Sequence, residues 1–339
     1  MRVLAAILVL ALVAPACAPT NDGELQNIQI IQTGKHGDRH RLMATVDAAP
    51  DLVLRVETGD PRQELAGFGA SFTESSAWNL ACLPEARRFE VLTRLFSPDE
   101  GMGFTLARTH IGACDFSVEG RYSYADEAGD AELSSFTVAA DEAGFDPAAH
   151  PSVREPGYDL LPMIREALAV KRAQGGADLR IVASAWTAPA WMKDIETWYI
   201  RSSQETNWQG TGGSLKPEYE AAYADYLVRY LDAYADKGVD IWGLTPVNEP
   251  HGNGGHWESM HFSAESQNDF VKKHLGPRLH GGGHADTQLF VYDQNRGAVE
   301  HWADVIFSDP ETVPYVAGIA VHWYESTVKV FEDSFDRVH

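Results

Sequence analysis

The chain has 339 residues, 44% of them hydrophobic and 22% charged, a composition that excludes a disordered or fibrous protein. Its length suits one large α/β barrel or two mid-sized domains, with ample material for a core. The formal net charge is −22. Because such a surface repels phosphate backbones and anionic lipid, we expect no nucleic-acid partner, while neutral substrates stay open.

The first sixteen residues predict a cleaved export signal. Arg2 precedes an unbroken apolar run at 3–13, and Ala-Pro-Ala at 14–16 has the small residues of a cleavage site. A membrane-spanning helix takes about 20 apolar residues, and no stretch is that long, so we expect an exported protein with no transmembrane segment, either secreted or periplasmic or at the outer surface. Cys17 follows the predicted cut as a lipid-modified cysteine would, but the preceding residues form an imperfect lipoprotein box, so a lipid anchor at Cys17 stays open.

The pattern of apolar and polar residues changes near residue 65. Within 17–64, β-type runs at 27–32 and 52–58 are separated by Gly, Asp and Pro, which predicts the N-terminal strands of a small accessory β domain. From 65 to 339, short apolar runs alternate with long amphipathic segments, the pattern of βαβ units around a parallel sheet. We therefore expect a domain boundary at 64/65.

Six apolar runs of this second region predict parallel strands. They are 66–71, 103–109, 179–185, 241–247, 288–293 and 318–323. Two intervening segments are clear helices: 159–174, and 217–237, which Pro217 starts and Gly238 ends. The apolar stripe of the second helix is formed by Tyr223, Leu227, Tyr230, Leu231 and Tyr234. The order predicts the α/β class, a (β/α)8 TIM barrel of which only about six β/α units are present.

Glu249 is the leading catalytic candidate. In such barrels catalytic groups project from the carboxyl ends of strands, and Glu249 follows the run 241–247, between Asn248, which can donate a hydrogen bond, and the stiffening Pro250. Glycoside hydrolysis needs a carboxylic acid that protonates the leaving oxygen, with a pKa raised by apolar neighbours or a second carboxylate. The alternative is a surface glutamate, but the position after a strand favours the catalytic interpretation.

Aromatic residues stand at other strand ends. Trp186 follows the third predicted strand, and Trp323 and Tyr324 close the sixth. The apolar face of a sugar ring stacks on such rings while its hydroxyls bind carboxylates and amides. A single aromatic residue is more often core packing, so it is their clustering at strand ends that indicates a sugar site.

Arg108 lies at the end of the second predicted strand and Asp115 follows it, and the two residues have two interpretations. They could flank the pocket, with Arg108 orienting carboxylates and Asp115 binding sugar hydroxyls, or they could form a structural ion pair that holds a loop. The residues alone leave both open.

Other clusters give weaker signals. His251, His256 and His261 lack the helical spacing of a zinc motif, and the stretch 293–295 lacks the further oxygens of a cation loop. Cys82 and Cys114 are either a disulfide, which an exported compartment permits, or two separate buried thiols. No metal or organic cofactor is implied.

Taken in order, the motifs resemble glycoside hydrolase family 30, and within it the glucosylceramidases, over about residues 65–325. The matching stretches are GFGASFTESSAWNL (67–80), CDFS (114–117), YSYAD (122–126), SAWTAPAWMK (184–193), YLDAYADKGVDIWGLTPVNEP (230–250), DQNR (293–296) and VAGIAVHWY (316–324). The order and spacing of these stretches are more specific than any one of them.

The resemblance implies a retaining β-glycosidase with Glu249 as general acid/base, acting on glucosylceramide or a related β-glucoside. It further implies a glucose site lined by Arg108, Asp115, Trp186, Asn248 and Tyr324. It implies that the early strands join a β-sandwich beside the barrel.

One departure from the family pattern concerns the nucleophile. A retaining mechanism needs a second carboxylate about 5–5.5 Å from the first, and in the family it follows a seventh strand, so we expect it beyond residue 339. The residues alone would instead nominate Glu325, which directly follows the sixth predicted strand. We expect these 339 residues by themselves to be insoluble or inactive, as part of a longer protein or a truncated gene model.

Two other functions are consistent with the sequence. An endo-β-1,6-glucanase or a xylan-active relative would share the inner pocket and differ in loops such as 194–215 and 251–262. A non-catalytic sugar-binding fragment that lacks the nucleophile is the alternative from another class.

Overall fold

A computed structural model describes residues 63–339 except 174, 176–177, 202–210 and 253–254, together with residues 8–9, 31–32, 41–42 and 59. The chain divides into two compact units, Met1–Glu64 and Leu65–His339. The first contains three two-residue strands, β1 (Leu8–Val9), β2 (Ile31–Gln32) and β3 (Arg41–Leu42), which pair antiparallel in that order.

Six parallel strands form the sheet of the second unit. They are β4 (Gly69–Ser71), β5 (Leu106–Ile111), β6 (Arg180–Ala185), β7 (Gly243–Thr245), β8 (Gln288–Asn295) and β9 (Gly318–His322). Each strand pairs with the next one in the chain, so β4 and β9 are the two outer strands. The result is a parallel half-barrel, which confirms the predicted TIM-barrel class with six of its β/α units.

Helices connect these strands. They are α1 (Glu74–Ala81), α2 (Glu85–Phe96), α3 (Leu160–Ala173), α4 (Glu220–Asp236), α5 (Ala264–Phe270), α6 (Gly276–Gly281), α7 (Val299–Phe307) and α8 (Glu332–Val338). A π-helical turn at Val271–Leu275 joins α5 to α6, and 3-10 turns lie at Ala139–Glu142, Ala190–Met192, Pro217–Tyr219, Arg296–Ala298 and Val313–Tyr315.

Helix α4 shows how the sequence pattern produces the core. All five residues of its predicted apolar stripe are buried, as the helical periodicity requires for a face packed against the sheet. Gly238 follows the helix with a φ of 79°, the left-handed conformation that commonly ends helices. Pro217 begins a 3-10 turn instead of the α-helix itself, which starts three residues later at Glu220.

Strand β4 depends on a glycine for its approach to β5. A Cβ built on Gly69 would lie 1.4 Å from the carbonyl oxygen of Leu106, so no other residue fits without moving the backbone. This close pairing carries the chain directly into α1, where the Thr73 side chain caps the helix by accepting from the Ser76 N–H.

Several expectations concern residues that the structure does not describe. The export signal at 1–16 and the lipid anchor at Cys17 stay predictions, and the predicted run 52–58 lies outside the described residues. Of the run 27–32, only Ile31–Gln32 is described, as a strand. Within the described part of the chain, no helix is long and apolar enough to cross a membrane, and Cys82 and Cys114 are separate thiols.

Candidate active site

The carboxyl ends of the strands surround one cavity of about 810 Å³. Its lining contains Glu249 and all five residues that the resemblance assigns to a glucose site: Arg108, Asp115, Trp186, Asn248 and Tyr324. These residues come from the ends of four different strands, which is the way that parallel barrels assemble their sites.

The backbone around Glu249 is held in an unusual conformation. Glu249 has a φ of 51°, in the left-handed region that non-glycine residues rarely occupy. Its N–H donates to the carbonyl of Asp293 at 2.9 Å, and the N–H of Asn248 donates to the carbonyl of Ala185 at 2.6 Å. The segment after β7 is therefore fixed between β6 and β8. Strain of this kind costs about 1–3 kcal/mol and clusters at functional sites.

Asp293 projects from an irregularity in β8. The register between β8 and β9 shifts between Tyr292 and Gln294, and Asp293 itself has a φ of 52°. A bulge of this type re-aims one side chain of a strand. Here it produces a buried carboxylate whose Oδ2 accepts from Arg108 at 2.9 Å and from the Thr245 hydroxyl at 2.7 Å.

Arg108 binds several polar side chains at the base of the cavity. Its Nη2 donates to Asn248 Oδ1 at 2.7 Å as well as to Asp293, and its Nε donates to the Ser184 hydroxyl at 3.1 Å. The guanidinium also lies over the Trp186 ring, 4.8 Å from the ring centroid. The ion pair that the sequence left open between Arg108 and Asp115 is instead made with Asp293.

His322 connects this network to Glu249. Its Nε2 lies 2.9 Å from Asp293 Oδ1, and its Nδ1 lies 3.2 Å from Glu249 Oε1. Burial alone would lower the pKa of His322, but the hydrogen bonds to Asp293 and Glu249 outweigh it and raise the pKa to about 9. An imidazole donates from both nitrogens only when it is protonated, so His322 is a cation between two carboxylates.

The same charges act on Asp293. Burial by itself would raise the pKa of this carboxyl, but the charge of Arg108 and the hydrogen bonds from His322 and Thr245 hold it well below its usual range. Asp293 is therefore a permanent anion at the base of the cavity.

Asp115 and Trp186 form a second part of the cavity wall. Desolvation raises the pKa of the Asp115 carboxyl, and the negative charge of Glu249 raises it further, while Trp186 and Arg108 act in the opposite direction. The buried indole Nε1 of Trp186 lies beside Asp115 but makes no hydrogen bond of normal geometry within the described chain. Glu249 thus lies between a second carboxyl group, that of Asp115, and the cationic His322.

The aromatic residues after β9 are exposed. Tyr324 lines the cavity, and its ring centroid lies 6.1 Å from that of His322, whereas Trp323 lies outside the lining. Glu325, the alternative nucleophile that the residues alone suggest, is exposed and also lies outside the lining. Its carboxylate instead packs against Gly297.

Sequence reasoning missed two members of the site, Asp293 and His322. The sequence offers 293–295 as a possible cation loop, and both residues otherwise stand only within stretches that carry the family resemblance, with no role assigned. Both residues stand at carboxyl ends of predicted strands, which is the signal that could have identified them. Among the described residues no cluster of His, Cys, Asp and Glu could hold a metal ion, and the ring of His251 instead lies near those of Tyr292 and Trp302.

Parallel β/α units with polar side chains gathered at their strand ends define a TIM-barrel domain of the kind that carries enzyme sites. The family model for the glycosyl hydrolase family 30 TIM-barrel domain matches residues 65–339. The chain therefore belongs to glycosyl hydrolase family 30.

Relatives with different substrates resemble the chain to a similar degree. It is 32% identical to the lysosomal acid glucosylceramidase of Mus musculus, over 80% of this chain and 48% of that protein. It is 28% identical to an endo-1,6-beta-D-glucanase of Neurospora crassa, over 87% of this chain and 54% of that protein. Among solved structures, the endo-beta1,6-glucanase BT3312 matches with a TM-score of 0.63 and 30% identity, over 80% of this chain and 54% of that one. The chain thus spans about half the length of the relatives that it matches.

Proposed function

We propose that the natural protein carrying this chain is a retaining β-glycosidase that hydrolyses β-glucosides, with glucosylceramide as the leading substrate. Glu249 is the general acid/base, and the nucleophile is a carboxylate beyond residue 339. The observation that carries the proposal is the position of Glu249, half-buried in a cavity beside Trp186, Asp115 and the fixed charge of His322.

The geometry around Glu249 suits the transfer of one proton. His322 donates to Oε1 of Glu249, so the exchangeable proton of the acid form belongs on Oε2. In the first step Glu249 gives this proton to the glycosidic oxygen as the leaving group departs. In the second step the carboxylate takes a proton from the water that attacks the glucosyl-enzyme. The His322 cation stabilises the carboxylate formed between the two steps.

The other cavity residues bind and orient the sugar. Trp186 contributes an apolar ring surface to the cavity wall for a pyranose ring, and the Asp115 carboxyl is available to sugar hydroxyls. Asn248 is held by Arg108 through its carbonyl oxygen, which directs its amide N–H groups away from Arg108. These contacts fix the substrate relative to Glu249.

The test is a comparison of leaving groups in the natural protein. For Glu249→Gln, kcat on an alkyl β-glucoside should fall by more than about a hundredfold, since general acid catalysis supplies about 10²–10⁴. Cleavage of 2,4-dinitrophenyl β-D-glucopyranoside should fall least in the glycosylation step, because that leaving group needs no proton. Glu90→Gln, an exposed glutamate paired with Arg87, is the matched control and should keep wild-type rates.

Two outcomes would contradict the assignment. Wild-type rates of Glu249→Gln on the alkyl glucoside would remove Glu249 from the mechanism. An equal loss with both leaving groups would show that it does not act as an acid. A parallel Glu325→Gln variant tests the competing residue, and we expect it to keep turnover.

A second candidate function is endo-β-1,6-glucanase activity. It is favoured by the similarity of the chain to two proteins of that name at 28% and 30% identity. Glucosylceramide and a linear β-1,6-glucan, compared at equal enzyme concentration, separate the two candidates by their kcat/KM values.

A further inference from the structure

The loops that follow β6 and β7 meet at a buried lysine. The side chain of Lys193 is fully buried, and its Nζ donates to the carbonyl oxygens of Trp198 at 2.8 Å, Gly212 at 3.0 Å and Ser259 at 2.9 Å. These bonds use all three hydrogens of the ammonium group. Two of the carbonyls belong to the loop of Lys193 itself, and the third belongs to the loop after β7.

The backbones of the two loops pack closely around this ammonium. The N–H of His261 donates to the carbonyl of Gly213 at 2.7 Å. A Cβ built on Gly212 would lie 2.6 Å from the carbonyl carbon of Ser259, so the approach requires glycine there. The contact is therefore specific to this arrangement of the loops, with Lys193 at its centre.

Nearby acids and the three carbonyl acceptors offset part of the cost of burying the Lys193 ammonium. Burial lowers the pKa of Lys193 to about 7, and the negative charges of Asp194 and Glu258 oppose that effect. Three carbonyl acceptors also favour the protonated amine. Without the ammonium, three buried carbonyls would lose their donor, which is costly in a dry interior.

The same stretch of the β7 loop forms part of the cavity wall. Trp257 lines the cavity, and it lies two residues before Ser259. Between them, the buried Glu258 pairs with Arg121 of the loop after β5 at 2.8 Å, and Arg121 donates to the Tyr199 hydroxyl at 2.7 Å. The segment 257–259 is thus held at one end by Lys193 and at its centre by Arg121.

We propose that Lys193 is a positioning residue that sets substrate affinity by fixing Trp257 in the cavity wall. Lys193 itself lies outside the cavity lining. The identity of the ligand as a β-glycoside rests on the proposed function, whereas the positioning of Trp257 rests on the contacts above.

Lys193→Met is the direct test, because methionine is unbranched and apolar and donates no hydrogen bond. In the natural protein we expect KM for 4-nitrophenyl β-D-glucopyranoside to rise about tenfold while kcat stays within about threefold. Lys273→Met is the matched control: it removes the same charge at an exposed position paired with Asp269, and KM should not change.

A double-mutant cycle separates positioning from a purely structural role. If Lys193 acts through Trp257, its replacement should have little further effect on KM in a Trp257→Ala background. An additive effect would overturn the proposal, as would a lower melting temperature of Lys193→Met with KM unchanged.

A binding measurement keeps this test separate from the proposed function. Calorimetric titration of gentiobiose into Glu249→Gln and into Glu249→Gln/Lys193→Met should give dissociation constants that differ about tenfold. If the wild-type protein cleaves no β-glucoside but this difference is found, the proposed function fails and the positioning role stands. Equal dissociation constants, or no binding to either variant, would overturn the positioning role.

Discussion

Asp293 and Asp141 are both buried carboxylates, but Asp293 faces two cationic side chains whereas Asp141 faces tyrosine hydroxyls. Arg108 and His322 hold the pKa of Asp293 well below its usual range against the effect of burial. Asp141 accepts from three tyrosines: Tyr122 at 2.9 Å, Tyr124 at 2.6 Å and Tyr234. Burial nevertheless raises the pKa of Asp141, and neither the charge of His110 nor the hydroxyls offset it.

The difference between Asp293 and Asp141 reflects the different roles of the cavity and of the core beneath α4. Neutral hydroxyls satisfy the lone pairs of a buried carboxylate without supplying a compensating charge, which suffices beneath α4, where Tyr226, Tyr230 and Tyr234 are buried. At the cavity, the cations Arg108 and His322 keep Asp293 ionised. His322 also bonds to Glu249, and so it links the Asp293 carboxylate to the catalytic candidate. The active-site network is therefore the more costly to break.

The largest effect is expected from Asp293→Asn, which keeps the size of the side chain and removes its charge. Arg108 and His322 then lose their buried counter-ion, so the free energy of unfolding should fall by about 3–5 kcal/mol, and kcat/KM should fall as Glu249 loses its support. Denaturant unfolding and steady-state rates measure the two effects. The matched control is Asp225→Asn, which removes a half-exposed pair with Arg278 and should cost less than about 1 kcal/mol. Equal costs at the two positions would refute the contrast.

The next effect is a dependence of stability on pH. The pKa of His322 is raised to about 9 from an unfolded value of about 6.5. Its contribution is therefore fully present below pH 6.5 and is lost as the pH rises through 9. The shift corresponds to about 3 kcal/mol. Wild type should lose this amount relative to His322→Gln between pH 6 and 10, as measured by unfolding at each pH. The control is His284→Gln, at a half-exposed pair with Asp232, and its stability should follow the wild-type pH profile. Parallel profiles of wild type and His322→Gln would contradict the assignment of a positive charge to His322.

The elements of the barrel could be predicted from the sequence because each depends on a local pattern. The apolar stripe of α4 and the apolar runs of β4–β9 need only periodicity and turn residues, and their positions agree with the structure to within a few residues. The limits of the strands were less accurate: the run 66–71 becomes the strand Gly69–Ser71, and 241–247 becomes Gly243–Thr245. Pairing with the neighbouring strand decides those limits, and the sequence does not contain that information locally.

The cavity was predicted in part for a related reason. Position after a strand identified Glu249, Trp186 and Arg108, and the structure gathers all three around one space. The partner of Arg108 could not be derived, because Asp293 is aimed at it by a bulge in a strand 185 residues away in sequence. Lys193 was also missed, since its three acceptors are backbone carbonyls, which leave no signature in the sequence.

The smallest effect tests the tyrosine cluster itself. Tyr234→Phe removes one hydroxyl that donates to Asp141 and leaves the ring in place, so the free energy of unfolding should fall by about 1–3 kcal/mol, the cost of leaving a buried acceptor without its donor. Tyr230 is a close control: it lies one turn earlier in α4, and its ring stacks on Tyr124 at a centroid distance of 5.8 Å. Its hydroxyl makes no hydrogen bond of normal geometry within the described chain. Tyr230→Phe should therefore cost no stability, because it removes a buried hydroxyl that makes no such bond. If the two substitutions cost the same, ring packing and not the hydroxyl–carboxyl bonds would stabilise this region. The hydrogen bonds of Asp141 would then contribute little to stability, unlike the ion pairs of Asp293.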